Sequence, residues 1–176
     1  MDLVDAENNM AEDVENIKYA SILALQAIDR EFPLRKKTSS EYVRFLRRNV
    51  VIPEACTIMV LIYLRRMRAA WSAMTTEEPF TSLKLCVALM VAVKYHVGGK
   101  FTTGLFAHAS GLRFKKLNAC ESLFMDAHAW NVHITPEEFA DTCAQLEHAE
   151  ELRKCLRNEC GLARCVQRLR EKVGEA

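Results

Sequence analysis

An all-α fold is predicted by three observations. Half of the 176 residues are hydrophobic, whereas glycine (6) and proline (4) are too scarce for the many tight turns of an all-β protein. Residues 85–93 carry no polar side chain at all, the pattern of a helix enclosed by others. Elsewhere apolar residues recur at helical spacing, as in Val14, Ile17, Ala20, Ala24, Ala27 and Ile28. The length suits one domain, and a 27% charged fraction beside that apolar content excludes disorder as the dominant state. The expected architecture is a bundle around one central apolar helix, with an added N-terminal helix and one or two C-terminal helices.

Residues 1–16 hold six acids and no base, which reads as a solvated, partly frayed lead-in to a helix over 11–30. Pro33 stops that helix, and 34–39 forms a basic linker. Thr38, Ser39 and Ser40 offer N-caps for a short helix over 41–49. Pro53 and Glu54 open the next helix, apolar over 55–64 and basic at Arg65, Arg66 and Arg68. After the polar break at 75–79, Thr81 or Ser82 caps the central helix, 83–97, which Gly98-Gly99 terminate. A short piece over 103–109 ends at Ser110-Gly111, and a long helix is predicted over 112–131. Thr135-Pro136-Glu137-Glu138 starts the last region, 136–172, expected as two helices parted near Gly161.

Several function classes are disfavoured. With 24 basic and 23 acidic residues the formal charge is only +1, so nucleic acid is an unlikely general partner. The apolar runs reach about ten residues, short of the ~20 that cross a bilayer, and Met-Asp-Leu-Val-Asp lacks the basic and apolar regions of a secretory signal. An intracellular location, nucleus or cytoplasm, is therefore expected. The seven cysteines form no Cys-x-x-Cys pair, and Cys155, Cys160 and Cys165 do not share a helix face, so reduced thiols are expected rather than a metal site. No glycine-rich phosphate loop is present and no cofactor is expected.

Two charges stand on apolar stripes. Glu121 falls among Leu117, Phe124, Met125 and His128, and Lys94 follows Leu83, Val87 and Met90. Burying either unpaired costs several kcal/mol. Lys94 can snorkel and Glu121 sit at a rim; the two can pair with each other; or both can reach out of an apolar patch to a partner protein.

The run from Thr38 to Phe139 resembles the cyclin box, specifically that of the short phosphate-pathway (P/U-type) cyclins. The resemblance is carried by Ile52-Pro53-Glu54-Ala55-Cys56, by Leu61-Ile62-Tyr63-Leu64-Arg65-Arg66-Met67, and by Ala92-Val93-Lys94-Tyr95. It continues in Phe106-Ala107-His108-Ala109-Ser110-Gly111-Leu112, in Lys116-Leu117-Asn118-Ala119-Cys120-Glu121, and from Trp130 to Phe139. It implies a five-helix bundle over 34–139, preceded by residues 1–33 and followed by a helical extension over 140–176. It also implies no catalysis in this chain. Its role would be to bind a cyclin-dependent kinase and hold the kinase C helix inward, with Lys94 and Glu121 gripping the kinase backbone. Val91, Tyr95, Met125, Trp130 and Val132 would supply the surrounding apolar contacts. The chain differs from the family pattern at Arg65, at Val97-Gly98 and at Ser110-Gly111.

Two other classes stand beside this one. The same fold could serve as an adaptor or transcription-factor-like module, with basic residues of 30–48 and Arg65–Arg68 forming a phosphate-binding face. An enzyme would have to combine cysteines with His96, His108, His128, His133 or His148, and no such register is visible.

Overall fold

The computed structural model describes residues 3–74, 81–98 and 101–157, with side chains over 13–68, 81–98 and 101–154. Among these residues every regular element is a helix: α1 (Leu3–Glu31), α2 (Ser39–Leu46), α3 (Glu54–Met74), α4 (Ser82–His96), α5 (Thr103–Ser110), α6 (Phe114–Ala127) and α7 (Pro136–Arg157). The helix expected beyond Gly161 lies outside the described residues.

The caps explain most of the boundaries. Thr38 precedes α2 in a full capping box: its Oγ1 accepts from Glu41 N at 3.1 Å, and its own N–H donates to Glu41 Oε2 at 2.8 Å. Thr81, Thr102 and Thr135 accept from the backbone N–H three residues on, at the starts of α4, α5 and α7. Gly111 ends α5 at φ 69°, a left-handed position that glycine adopts without strain. The first helix corrects one expectation. It starts at Leu3, eight residues before Ala11, so the acidic stretch is helix rather than lead-in. Acids at a helix N-terminus are favoured by its dipole, and Glu, Ala and Met are good helix formers.

Helix α4 is the hub. Every residue from Leu85 to Val93 is buried, and α2, α3, α5 and α6 all pack on it. The outer helices close the other side of α3: α1 lies on α3 with Ala20, Leu23, Ala24, Ala27 and Ile28 buried, and α7 spans α1 and α3 with Leu146 buried.

Two polar clusters cross this core. Ser21 of α1 donates to Glu54 Oε2 at 2.6 Å and lies 2.7 Å from Thr57 Oγ1, while Arg47 donates to the same Glu54 oxygen at 2.8 Å. Burial alone would raise the Glu54 carboxyl, but the Ser21 and Arg47 hydrogen bonds and the Arg47 charge outweigh it and hold the group below the usual range. Farther along α3, Tyr63 is fully buried. Its Oη donates to the Val132 carbonyl at 2.8 Å and lies 2.7 Å from His96 Nε2, so one hydroxyl ties α3 to the end of α4 and to the segment after α6.

Tyr63→Phe removes that hydroxyl and leaves a buried carbonyl without its donor. We expect a loss of about 1–3 kcal/mol in urea unfolding, whereas a loss below ~0.5 kcal/mol would mean that the 131–135 segment is held by packing alone.

Candidate partner-binding site

Three helices deliver the central cluster. Lys94 lies in the last turn of α4, Thr103 is the first residue of α5, and Glu121 lies midway along α6. Lys94 Nζ is 2.5 Å from Glu121 Oε1 and 3.2 Å from Thr103 Oγ1, and the Thr103 hydroxyl donates to Glu121 Oε2 at 2.9 Å. The three groups close a ring, in which each helix holds the other two. Lys94 and Glu121 therefore do pair with each other, one of the readings open to the sequence. They are not sealed, however: their side chains keep 24% and 13% of their exposure. An ammonium has three donors and two are used, while the carboxylate has about four acceptor positions and two are used. The pair can still accept up to two N–H groups and donate to one carbonyl.

Thr103 is the member that sequence reasoning missed. It stands beside Thr102 at a helix start, and only the tertiary fold distinguishes the capping threonine from the one aimed into the cluster.

The other candidate residues divide by burial. Tyr95 is 51% exposed and Trp130 63%. Val91, Met125 and Val132 are buried in the chain's own core, Val91 completely and Val132 with 7% of its surface left. Met125 shares its stripe with Leu117 and Phe124, and that stripe faces inward; Val91 and Val132, which the resemblance alone named, are also covered.

Trp130 owes its exposure to a helix end that differs from the prediction. Helix α6 stops at Ala127, four residues before Asn131. Trp130 N donates to Met125 O at 2.8 Å and Ala129 N to Asp126 O at 2.9 Å, the paired bonds of a Schellman motif. Such a turn needs a left-handed residue, normally glycine, yet here Ala129 (φ 48°) and Trp130 (φ 59°) are both left-handed. Each costs roughly 1–2 kcal/mol. The indole is then fixed by its Nε1–H, which donates to Asp126 Oδ1 at 2.9 Å.

Behind this turn, His128 is buried with its ring 4.4 Å from that of Phe124, and its Nδ1 lies 2.9 Å from the Phe124 carbonyl. Burial pushes the pKa of both His128 and His96 below the ordinary imidazole value, despite backbone hydrogen bonds that favour the charged form.

Some of the features behind the other function classes are occupied structurally. Arg65 donates to Glu31 at 2.7 Å, Arg66 pairs with Glu138 and donates to the His133 carbonyl at 3.0 Å, and Arg68 lies 3.9 Å from Glu31. This part of the basic face is neutralised within the chain. Cys56 and Cys86 are buried, and desolvation pushes the Cys56 thiol up to about 12, the opposite of a reactive thiolate. No group of three metal-ligating side chains occurs among the described residues, nor does a helix long and apolar enough to cross a membrane. Cys160 and Cys165 lie outside the described residues.

No protein-family model matches the chain. Among curated proteins it is similar to Cyclin-P4-1 of Oryza sativa subsp. japonica, with 26% identity over 93 residues. The match covers 53% of this chain and 44% of the rice protein, so the chain aligns with less than half of that relative's length. This likeness supports a relationship to the cyclins in general, and the all-helical structure is consistent with it.

Two outcomes test the local physics. Ala129→Gly removes the left-handed penalty at the Schellman position, so stability should rise by about 0.5–1 kcal/mol after glycine's entropic cost; a destabilised variant would show that the turn is unstrained. The lowered histidines bind fewer protons folded than unfolded, so stability is full above their unfolded pKa of about 6.5 and is lost as pH falls below it. The urea midpoint should therefore drop between pH 7.5 and 5.5, less so in His96→Gln/His128→Phe. A midpoint that rises on acidification contradicts this.

Proposed function

We propose that this chain is a regulatory subunit that binds a cyclin-dependent protein kinase and activates it by positioning the kinase C helix. The observation that carries the reading is the Lys94–Thr103–Glu121 cluster. It presents one unused ammonium donor and unused carboxylate lone pairs at the surface, held rigidly by three helices. An ammonium suits backbone carbonyls, and a carboxylate suits the unpaired N–H groups at the start of a helix. Exposed Tyr95, next to Lys94, and exposed Trp130, beyond α6, supply aromatic anchors of the kind that dominate protein interfaces. Val91, Met125 and Val132 then act from beneath, as the packing that fixes Lys94, Glu121 and Trp130. Within the cyclins, the motifs at 52–67, 92–95 and 116–139 favour the P/U-type group. The chain itself carries no catalytic role in this reading.

The adaptor reading keeps the fold without the kinase. Its phosphate-binding face is weakened by the internal pairing of Arg65, Arg66 and Arg68.

Affinity capture from native lysate, comparing wild type with Lys94→Ala/Glu121→Ala, tests the proposal. Wild type should recover a kinase that phosphorylates a generic proline-directed substrate. Truncating a hydrogen-bonded interfacial charge costs ~2–5 kcal/mol, so the variant should lose the kinase by roughly 30-fold or more. A folded variant that recovers the same kinase equally well, or a wild type that recovers none, overturns the activating role.

A further inference from the structure

The second charged feature of the chain lies on α2 and the segment before it, elements that contribute nothing to the Lys94 cluster. Lys36, Lys37, Glu41, Arg44, Phe45 and Arg48 line an open hollow of about 370 Å³. Four of the six are cations. The single carboxylate, Glu41, whose Oε2 accepts from Thr38 N at 2.8 Å in the capping box, leaves the lining with a formal surplus of three positive charges. Among the described residues Lys36, Arg44 and Arg48 form no ion pair, whereas Arg47, Arg65, Arg66 and Arg153 each pair with a carboxylate of this chain.

Helix geometry explains only part of this concentration. Arg44 stands in the last turn of α2, where the dipole favours cations, and Arg48 lies two residues past its end. Lys36 and Lys37 precede its N-terminus, where the dipole disfavours them. Like charges gathered in one small hollow repel, and an anion would relieve them.

Lys37 is also positioned, its Nζ 5.3 Å from the Phe45 ring centroid and 5.4 Å from that of Tyr42. Phe45 keeps 37% of its surface exposed, an apolar wall among the cations.

We propose that this hollow binds a phosphorylated serine or threonine in a segment of a partner protein, with an apolar neighbour of the phosphoresidue resting on Phe45. A dianion with three acceptor oxygens matches two guanidinium forks and two ammonium groups, where one carboxylate would need a single arginine. The cations form a compact cluster rather than a stripe that could follow a polynucleotide backbone, and the chain's net charge of +1 gives no general field for nucleic acid or membranes. The proposal does not depend on the kinase reading.

The test uses the full chain on an array of peptides with central phosphothreonine or phosphoserine and degenerate flanks, beside the same peptides unphosphorylated. The best sequence is then titrated by fluorescence anisotropy. Phosphorylation should tighten binding at least tenfold, and Arg44→Glu/Arg48→Glu should weaken it at least tenfold. Phe45→Ala should weaken it severalfold and flatten the preference for an apolar flank. The exposed pair Lys115→Glu/Lys116→Glu on α6 serves as the charge-matched control and should leave binding within twofold. If the double reversal on α2 fails to fold by circular dichroism, Lys36→Ala/Arg48→Ala replaces it with the same expectation, scaled to severalfold. Binding without phosphate dependence across the array overturns the proposal. So does an equal loss in the α6 control, or a single-stranded oligonucleotide or phosphatidylserine vesicle that binds more tightly than the best phosphopeptide.

Discussion

A helix with nine successive apolar side chains has no side that it can turn to water, and the arrangement of the other helices follows from that. Residues 85–93 of α4 must be covered all round, so α2, α3, α5 and α6 gather on it. The first charge after that run is Lys94, and its position on the helix is dictated by the apolar residues before it. It emerges where α5 begins and where α6 passes, so the carboxylate of α6 and the first hydroxyl of α5 are the groups within reach. The ion pair is thus a consequence of enclosing α4. Its remaining exposure at the end of the hub gives it surface value as well as a structural one.

The same enclosure organises the turn after α6. Tyr63, deep in α3, reaches His96 at the end of α4 and the carbonyl of Val132, while its ring meets Phe124 and His128 edge-on at 5.8 and 5.4 Å. Anchored at 124, 128 and 132, the chain between must turn within a few residues, and two left-handed non-glycine residues are the result. Strain of this kind persists where surrounding contacts over-determine it. Here it coincides with an exposed tryptophan pinned to Asp126, which holds a large aromatic surface in one orientation.

The arginines divide by their access to this chain's own acids. Those of α3 lie within reach of α1 and of the start of α7, and find Glu31 and Glu138 there; Arg47, just after α2, turns back to Glu54. Among the described residues the hollow beside α2 is lined by four cations and one acid, Glu41, so positive charge stays in excess there. A chain whose formal charges nearly cancel thus carries an uneven surface, and net charge conceals it.

What could be read from the sequence was what depends on near neighbours in the chain. Helix class, the apolar hub, the threonine caps at 38, 81 and 135, and the glycine stop at 111 all rest on periodicity or on hydrogen bonds spanning about three residues. Lys94 and Glu121 were visible as anomalies on apolar stripes for the same reason. A wheel gives angles about one axis but never what lies opposite. Only the tertiary structure decided that Lys94 and Glu121 meet, that Thr103 rather than Thr102 completes their ring, and that Val91, Met125 and Val132 face inward while Tyr95 and Trp130 face out. It also decided where α6 ends, because that depends on Tyr63, some 69 residues away in the chain from the carbonyl it holds. Contacts of that separation are set by how the helices enclose α4, and no local pattern encodes them.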